Sequence, residues 1–383
     1  MDSTLKQDII NLCSIKDRTS ASKGEHEASV LLKNRLDQIG LDTIVENFSF
    51  SFSFAKVLML CAIFGIIAAW IPYSYLIISI ILFALAIISY FGECTSEFIF
   101  WRKIFPFQKS TNVIGKIQAK QEKLKIIISA HYDTAHCGCI YNPYIVNKVG
   151  PTKIGPLLLP FILLCCLAIT WFVGIFTGIF ILKLIFSILL GIFVILLMQY
   201  ELAPPTPGAA DNASGVAIVL SLAEHLKINN IYPDISFYFL LTGSEESHMI
   251  GMQKFMKKHK NEFDKNNTFF INFDTIGSSK LLKYTVSEGF MITQKYLPYL
   301  VSLTAKLENL FDIKPIHITG HTDALIPAIL GYNSINFISF NENNVPDHYH
   351  WFTDIPDNII IHVLERCKNC SLALIDLINK NNH

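Results

Sequence analysis

Histidines and carboxylates recur at five places where a strand-like run ends or a helix-like run begins. The first is Ala130-His131-Tyr132-Asp133-Thr134, directly after the apolar run Lys125-Ile126-Ile127-Ile128-Ser129. Residues 131 and 133 share one side of an extended chain. Asp133 could therefore orient the His131 ring while the ring's other nitrogen meets a metal. Read alone, a strand-end His-x-Asp is as readily structural. The second is GAADNASGVA, residues 208–217. A lone aspartate before a helix is ordinarily an N-cap, but small neighbours allow close backbone approach, and the two oxygens of Asp211 could bridge two cations. The third is Thr242-Gly243-Ser244-Glu245-Glu246-Ser247. Paired glutamates are usually just solvated; directly after a buried strand they become candidates for one ligand and one base. The fourth, NFDTIG, puts Asp274 at another strand end, and the fifth puts His350 before the final helix.

Two histidines and three carboxylates from separate strand ends, with one glutamate to spare, make a mixed imidazole–carboxylate donor set without thiolate. That set suits zinc, with cobalt or manganese as alternatives. One ion would be crowded by so many carboxylates. A two-metal hydrolytic centre, with ions about 3.5–4 Å apart, uses them all.

Positioning these groups requires strands that end together. The pattern predicts helices over 25–39 (stopped by Gly40), 213–226, 244–258, 291–307 and 358–378. It predicts strands over 43–54, 112–117, 125–129, 235–242, 268–273 and 334–340. Strands alternating with helices imply a three-layer α/β domain around a mixed, mostly parallel sheet.

In order, AHYDT, GAADNASGVA, TGSEES, NFDTIG and YHWFTDIPDNI resemble the two-zinc metallopeptidase family of aminopeptidase Y and aminopeptidase S, peptidase clan MH. The resemblance implies the αβα zinc-aminopeptidase fold, with an eight-stranded mixed sheet between helices, and hydrolysis of N-terminal residues from peptides. It also implies that His131, Asp211 and Asp274 hold one zinc and that Asp211, Glu246 and His350 hold the other. Glu245 would be the general base for a water activated by both ions, with Asp133 supporting His131. Thr322-Asp323-Ala324 matches the family's Ser-Asp-His stretch before GxPAxxF, here GYNSINF. That gives Asp323 an outer role, while the stretch's histidine is Ala324 in this chain.

The chain departs from the family in composition. Of 383 residues, 51% are hydrophobic and only 16% charged, against about 25% charged in ordinary domains. Segments 55–91 and 155–199 carry only Lys56 and Lys183 as charges. Each exceeds the roughly 17–25 residues of one span and is broken once, near Pro72 and near Gly174 to Gly178, so each reads as a transmembrane hairpin. The expected organisation is peptidase domain 1–54, hairpin 55–91, peptidase domain 92–154, hairpin 155–199 and peptidase domain 200–383. Four spans return the polar body to one face of the bilayer. Lys56, Arg102, Lys103, Lys109, Lys148 and Lys153 cluster near the span ends on that face, so the body is expected to be cytoplasmic. The second hairpin, inserted between the His131 and Asp211 motifs, would bring the catalytic mouth close to the bilayer.

A formal net charge of zero without a basic block argues against a nucleic-acid partner. Nine cysteines, an odd number with three in apolar runs, do not form a secreted disulfide framework. The polar first 54 residues do not begin as a cleavable signal peptide. Cys137-x-Cys139, Cys367-x-x-Cys370, His317 and His321 read as structural, and Lys183 as a snorkelling interfacial residue. Two alternatives remain: a single-zinc glutaminyl cyclase, and a scaffold that keeps the fold without catalysis.

Overall fold

The structure is a computed structural model and describes residues 3–96, 100–104, 107–149, 157–177 and 179–382. Lys153, Gly178 and the start of the second hairpin at 155 lie outside the described residues. Nine strands form one sheet: β1 (Asp42–Phe50), β2 (Gln108–Ile117), β3 (Leu124–His131), β4 (Ile235–Thr242), β5 (Thr268–Phe273), β6 (Leu281–Glu288), β7 (Gln294–Lys295), β8 (Lys314–Ile318) and β9 (Asn333–Phe340). Their order is β1-β2-β4-β3-β5-β9-β6-β7, with β8 beside β6. The central strands β4, β3, β5 and β9 are mutually parallel, whereas β1, β2, β6 and β7 add antiparallel pairings toward the edges. Parallel centre strands put the carboxyl ends of β3, β4 and β5 on one edge, where open α/β sheets bind ligands.

The helices are α1 (Ser3–Cys13), α2 (Lys23–Ile39), α3 (Phe54–Trp70), α4 (Leu76–Thr95), α5 (Pro143–Val149), α6 (Leu158–Thr177) and α7 (Phe180–Leu202). They continue with α8 (Ser214–Asn229), α9 (Ile250–His259), α10 (Pro298–Ala305), α11 (Glu308–Phe311), α12 (Leu325–Ile329) and α13 (Ile361–Asn381). Along β3, Ile126, Ile128 and Ala130 face α1, α2, α8 and α13, while Ile127 faces α9 and α12. Burial on both faces explains the unbroken apolar run. Each such Ile or Leu removed from water contributes roughly 1.5–3 kcal/mol.

Three expected elements end elsewhere, for local reasons. Strand β1 stops at Phe50 because Ser53 caps α3, its hydroxyl accepting from the Lys56 amide. The helix expected over 244–258 begins only at Ile250; residues 244–249 are irregular, with positive φ at Ser244, His248 and Met249. The helix expected over 291–307 is the shorter α10, because Pro298 starts it and Gln294–Lys295 pairs with β6. Helices α1, α5, α11 and α12 and strands β6, β7 and β8 are additional to the six strands and five helices expected of the polar segments, and the described sheet has nine strands where the resemblance implied eight.

Helices α3, α4, α6 and α7 pack on one another through Leu58, Cys61, Leu164, Trp171 and Leu190. Gly65 permits the contact of α3 with α6, since a Cβ there would lie 2.2 Å from Leu164 Cδ1. Residues Tyr73–Thr95 and Phe180–Leu202 are each long and apolar enough to cross a membrane, while Phe54–Trp70 and Leu158–Gly174 are shorter apolar helices. Their outer side chains are exposed, including Ile77, Ile88, Ile169, Ile181 and Ile195. At one end Lys183 stacks over the Trp70 ring at 4.4 Å; at the other Lys56 pairs with Glu201 at 3.0 Å.

Across the sheet edge, His259 on α9 lies 2.8 Å from Glu46 on β1 and 2.9 Å from Glu262. Burial alone would lower the histidine's pKa, but the two glutamates outweigh it and hold it above the ordinary value. A raised folded pKa stabilises fully below the unfolded value near 6.5 and is lost as pH rises through the folded value. His259→Gln should therefore lower the melting temperature by ~1–3 °C at pH 6 and by less at pH 9, measured by thermal unfolding in detergent at both pH values.

Candidate metal centre

The strand ends gather the predicted residues into two groups that share one carboxylate. His131, the last residue of β3, has Nε2 3.2 Å from Asp211 Oδ1 and 4.0 Å from Asp274 Oδ2. His350 has Nε2 3.1 Å from Asp211 Oδ2 and 3.4 Å from Glu246 Oε1. Within His131–Asp211–Asp274, and again within Asp211–Glu246–His350, one donor atom from each residue lies within 4.8 Å of the others. Asp211 turns one oxygen to each group.

Each donor is set by its own local device. Asp211 lies in a distorted turn between Gly208 and the start of α8. Gly208 has φ +63°, and a Cβ there would lie 2.3 Å from Thr134 Cγ2. Asp354 accepts from the Ala210 and Asp211 amides at 2.7 and 3.1 Å. Asn212 ties the same turn to the end of β5: its amide nitrogen donates to Phe273 O at 2.8 Å, and its oxygen accepts from the Thr275 amide at 3.3 Å. The Thr275 hydroxyl in turn donates to Asp274 Oδ1 at 2.7 Å.

Asp133 does more than face His131. Its Oδ1 is 3.5 Å from His131 Nδ1 and accepts from the Glu245 amide at 2.9 Å, while Oδ2 accepts from the Glu246 amide at 3.1 Å. One residue thus holds the imidazole, through its main-chain oxygen 3.2 Å from His131 Nδ1, and the glutamate pair, through its carboxylate. Glu25 anchors the preceding residue, accepting from the Ser244 amide at 2.6 Å and hydroxyl at 2.8 Å. The Glu245 side chain belongs to neither donor group. Asp323 is fully buried behind the strand ends, accepting from the Thr242 hydroxyl, with Oδ1 unpartnered; it is not brought into the donor set.

The electrostatics are those of a site with too much negative charge. Burial pushes Glu245 and Glu246 up from the usual carboxylate range, and it pushes Asp274 up to about 7, against the pull of His131. Burial also opposes charge on His131 and His350, yet the surrounding carboxylates hold both well above the ordinary histidine value. Asp211 is held low, its two histidines overcoming burial. Arg18, the buried cation nearby, is occupied by the Tyr132 and Gly208 carbonyls, at 3.1 and 3.0 Å. Glu246 Oε1 is buried with no hydrogen-bond partner. Six nitrogen and oxygen donors, one orphaned, with no committed cation fit divalent zinc.

Sequence reasoning did not find Arg18, Glu25, Asn212 or Tyr141, and gave Asp354 no role though it lies within a quoted motif. The bonds of Arg18 to Tyr132 and of Glu25 to Ser244 span 114 and 219 residues, where no local pattern exists. The Tyr141 ring lies 4.4 Å from that of His350.

The sequence profile of peptidase family M28 matches residues 196–375. The chain is related to peptidase family M28. Aminopeptidase YwaD of Bacillus subtilis (strain 168) is 25% identical over 165 residues, 43% of this chain and 35% of that protein, so the match spans about a third of the relative's length. The zinc aminopeptidase BSAP of Bacillus subtilis superposes with a TM-score of 0.57 at 14% identity, covering 97% of this chain and 93% of that one. A glutaminyl cyclase of Fimbriiglobus ruber gives the same TM-score at 13% identity, with the same coverage of each chain. At such identities the two superpositions show a shared fold alone.

Asp354 is in neither donor group and holds the turn that carries Asp211 through the amides of residues 209–211. Asp354→Ala should weaken zinc uptake by ~10–100-fold while the sheet stays folded, measured by competition with a chromophoric chelator alongside circular dichroism.

Proposed function

We propose that this chain is a membrane-bound, zinc-dependent metallopeptidase, and an aminopeptidase in particular. One observation carries the reading: Asp211 presents its two oxygens to two separate histidine–carboxylate groups while Glu245 stands beside them in neither. His131, Asp211 and Asp274 would hold one zinc, and Asp211, Glu246 and His350 the other. Bound there, the metal would supply Lewis-acid chemistry, acidifying a water and polarising a peptide carbonyl.

The chain's own residues do the rest. Glu245, whose side chain lies in neither donor group, takes the proton of the attacking water and returns it to the leaving amine. Burial raises the glutamate's pKa above the ordinary carboxylate range, the direction that suits a group which must both accept and return a proton near neutral pH. Asp133 keeps His131 and the glutamate pair in one frame. Asp323, bonded to Thr242 on the strand beside His131, supports that frame from behind.

A glutaminyl cyclase is the second reading, favoured by the equal fold match to the Fimbriiglobus ruber protein. It would use a single zinc and has no evident need for a shared bridging carboxylate. Mass spectrometry separates the two reactions. A hydrolase adds water and releases the first residue, whereas a cyclase expels ammonia from an N-terminal glutamine and leaves the chain length unchanged. With aminoacyl-amide and dipeptide substrates, Glu245→Gln should retain zinc and lose ~10²–10⁴-fold in turnover, and Asp211→Ala should lose zinc. Full turnover by the glutamine variant would remove Glu245 from its role.

We read α3 with α4, and α6 with α7, as two hairpins in the bilayer, with the polar body cytoplasmic. The exposed apolar faces of these helices support this, since patches of that size on a soluble protein are rare. The end of α7 also reaches the centre: Gln199 accepts from the Cys139 amide at 2.7 Å, and Tyr200 packs on Tyr141, which packs on His350. The catalytic mouth would then face peptides at the membrane surface. A glycosylation or protease-accessible reporter inserted at Pro72 should appear on the non-cytoplasmic side; a cytoplasmic reporter would overturn the orientation.

A further inference from the structure

Residues 244–249 carry Glu245 and Glu246 on a backbone that bends through left-handed conformations at Ser244, His248 and Met249. None is glycine, so the segment needs outside contacts to hold its shape. From within, Asp133 and Glu25 bind the amides of 244–246. Residues 247 and 248 are held from the other side, by the first apolar hairpin.

Arg102, fully buried, donates through Nη1 to Ser247 O at 2.6 Å and, less closely, to His248 O at 3.4 Å. Its other edge meets Glu93, in the last turn of α4: Nε lies 2.6 Å and Nη2 2.5 Å from Glu93 Oε2. Glu93 is itself fully buried. The capping residue of the same helix, Ser96, has its hydroxyl 2.7 Å from His248 Nε2. At the other end of the hairpin Phe54, the first residue of α3, stacks on the His248 ring at 4.3 Å and 8°. Both helices of the hairpin therefore meet His248, and Arg102 links Glu93 of α4 to Ser247 as well. Taking both ions out of water is offset by their mutual contact through Glu93 Oε2, while Glu93 Oε1 and Arg102 Nη2 make no hydrogen bond. The pair is therefore a buried strut rather than a surface contact.

We propose that Glu93 and Arg102 make the first hairpin a positioning element for the Glu245–Glu246 segment, so that turnover depends on how α3 and α4 are seated. The proposal rests on Glu245 as base and Glu246 as metal donor. A guanidinium is planar and spreads its donors across two edges, whereas an ammonium is a single point. Arg102→Lys thus preserves the charge opposite Glu93 but cannot keep both edges bonded. It is the decisive variant, with Glu93→Gln beside it.

The test uses the full chain in detergent, with three readouts: amide hydrogen exchange, the visible spectrum of the cobalt-loaded protein, and kcat with KM. In Arg102→Lys we expect exchange at 245–249 to quicken tenfold or more while β4 and β5 stay protected. Cobalt should bind with shifted bands, and kcat should fall ~10–100-fold at nearly constant KM. Loop exchange and spectrum unchanged from wild type would overturn the proposal, as would exchange quickened throughout the sheet. If the wild-type protein hydrolyses none of the substrates, exchange and cobalt spectra still decide the positioning claim, and the hydrolase reading fails separately.

Discussion

Everything at the sheet's carboxyl edge depends on one carboxylate serving two groups. Asp211 lies 3.2 Å from His131 and 3.1 Å from His350 through different oxygens. That is possible only if β3, the turn before α8 and the segment before α13 meet within a few ångströms. Such a concentration of buried carboxylates is unfavourable unless cations or hydrogen bonds compensate it. The chain supplies hydrogen bonds for the backbone of the site through Asp133, Asp354, Asn212 and Glu25, and leaves the donor atoms themselves free to face inward. A divalent metal would complete that balance.

The same logic explains where the apolar insertions sit. The first hairpin connects β1 to β2, which pair antiparallel along their length, so it enters and leaves the sheet at adjacent points. The second leaves the chain after the β3 motif and returns just before Asp211. Neither interrupts a strand. Both end close to the donor set: the first through Arg102 and Phe54 on residues 247–248, the second through Tyr200 on Tyr141. The four apolar helices and the donor set are thereby joined by a few side chains.

Much of this could be read in the sequence, and what could not has a physical reason. The boundaries of β4 and β5 emerge because aromatic and aliphatic runs, buried on both faces, stop abruptly at polar residues. His131, Glu246 and Asp274 emerge because each lies at such a stop, and Asp211 and His350 because each precedes a helix. By contrast, β6 mixes charged and apolar residues and carries a register irregularity between Thr285 and Ser287, so its period is blurred. Residues 244–249 have good helix-forming composition and yet are not helical, because Glu25 and Asp133 take their amides. The bonds of Arg18 to Tyr132 and of Glu25 to Ser244 span more than a hundred residues and leave no trace in local spacing. The bond from Asp354 to Asp211 is likewise long-range, although the aspartate sits four residues after His350 in plain view.

The shared carboxylate is tested most directly by counting metal ions. Zinc bound per chain should be titrated in detergent-purified protein and in its Asp274→Ala and Asp211→Ala forms. The account predicts about two ions in the wild type, about one after Asp274→Ala because the Asp211–Glu246–His350 group survives, and none held tightly after Asp211→Ala. A single zinc in the wild type, or two retained without Asp211, would contradict it.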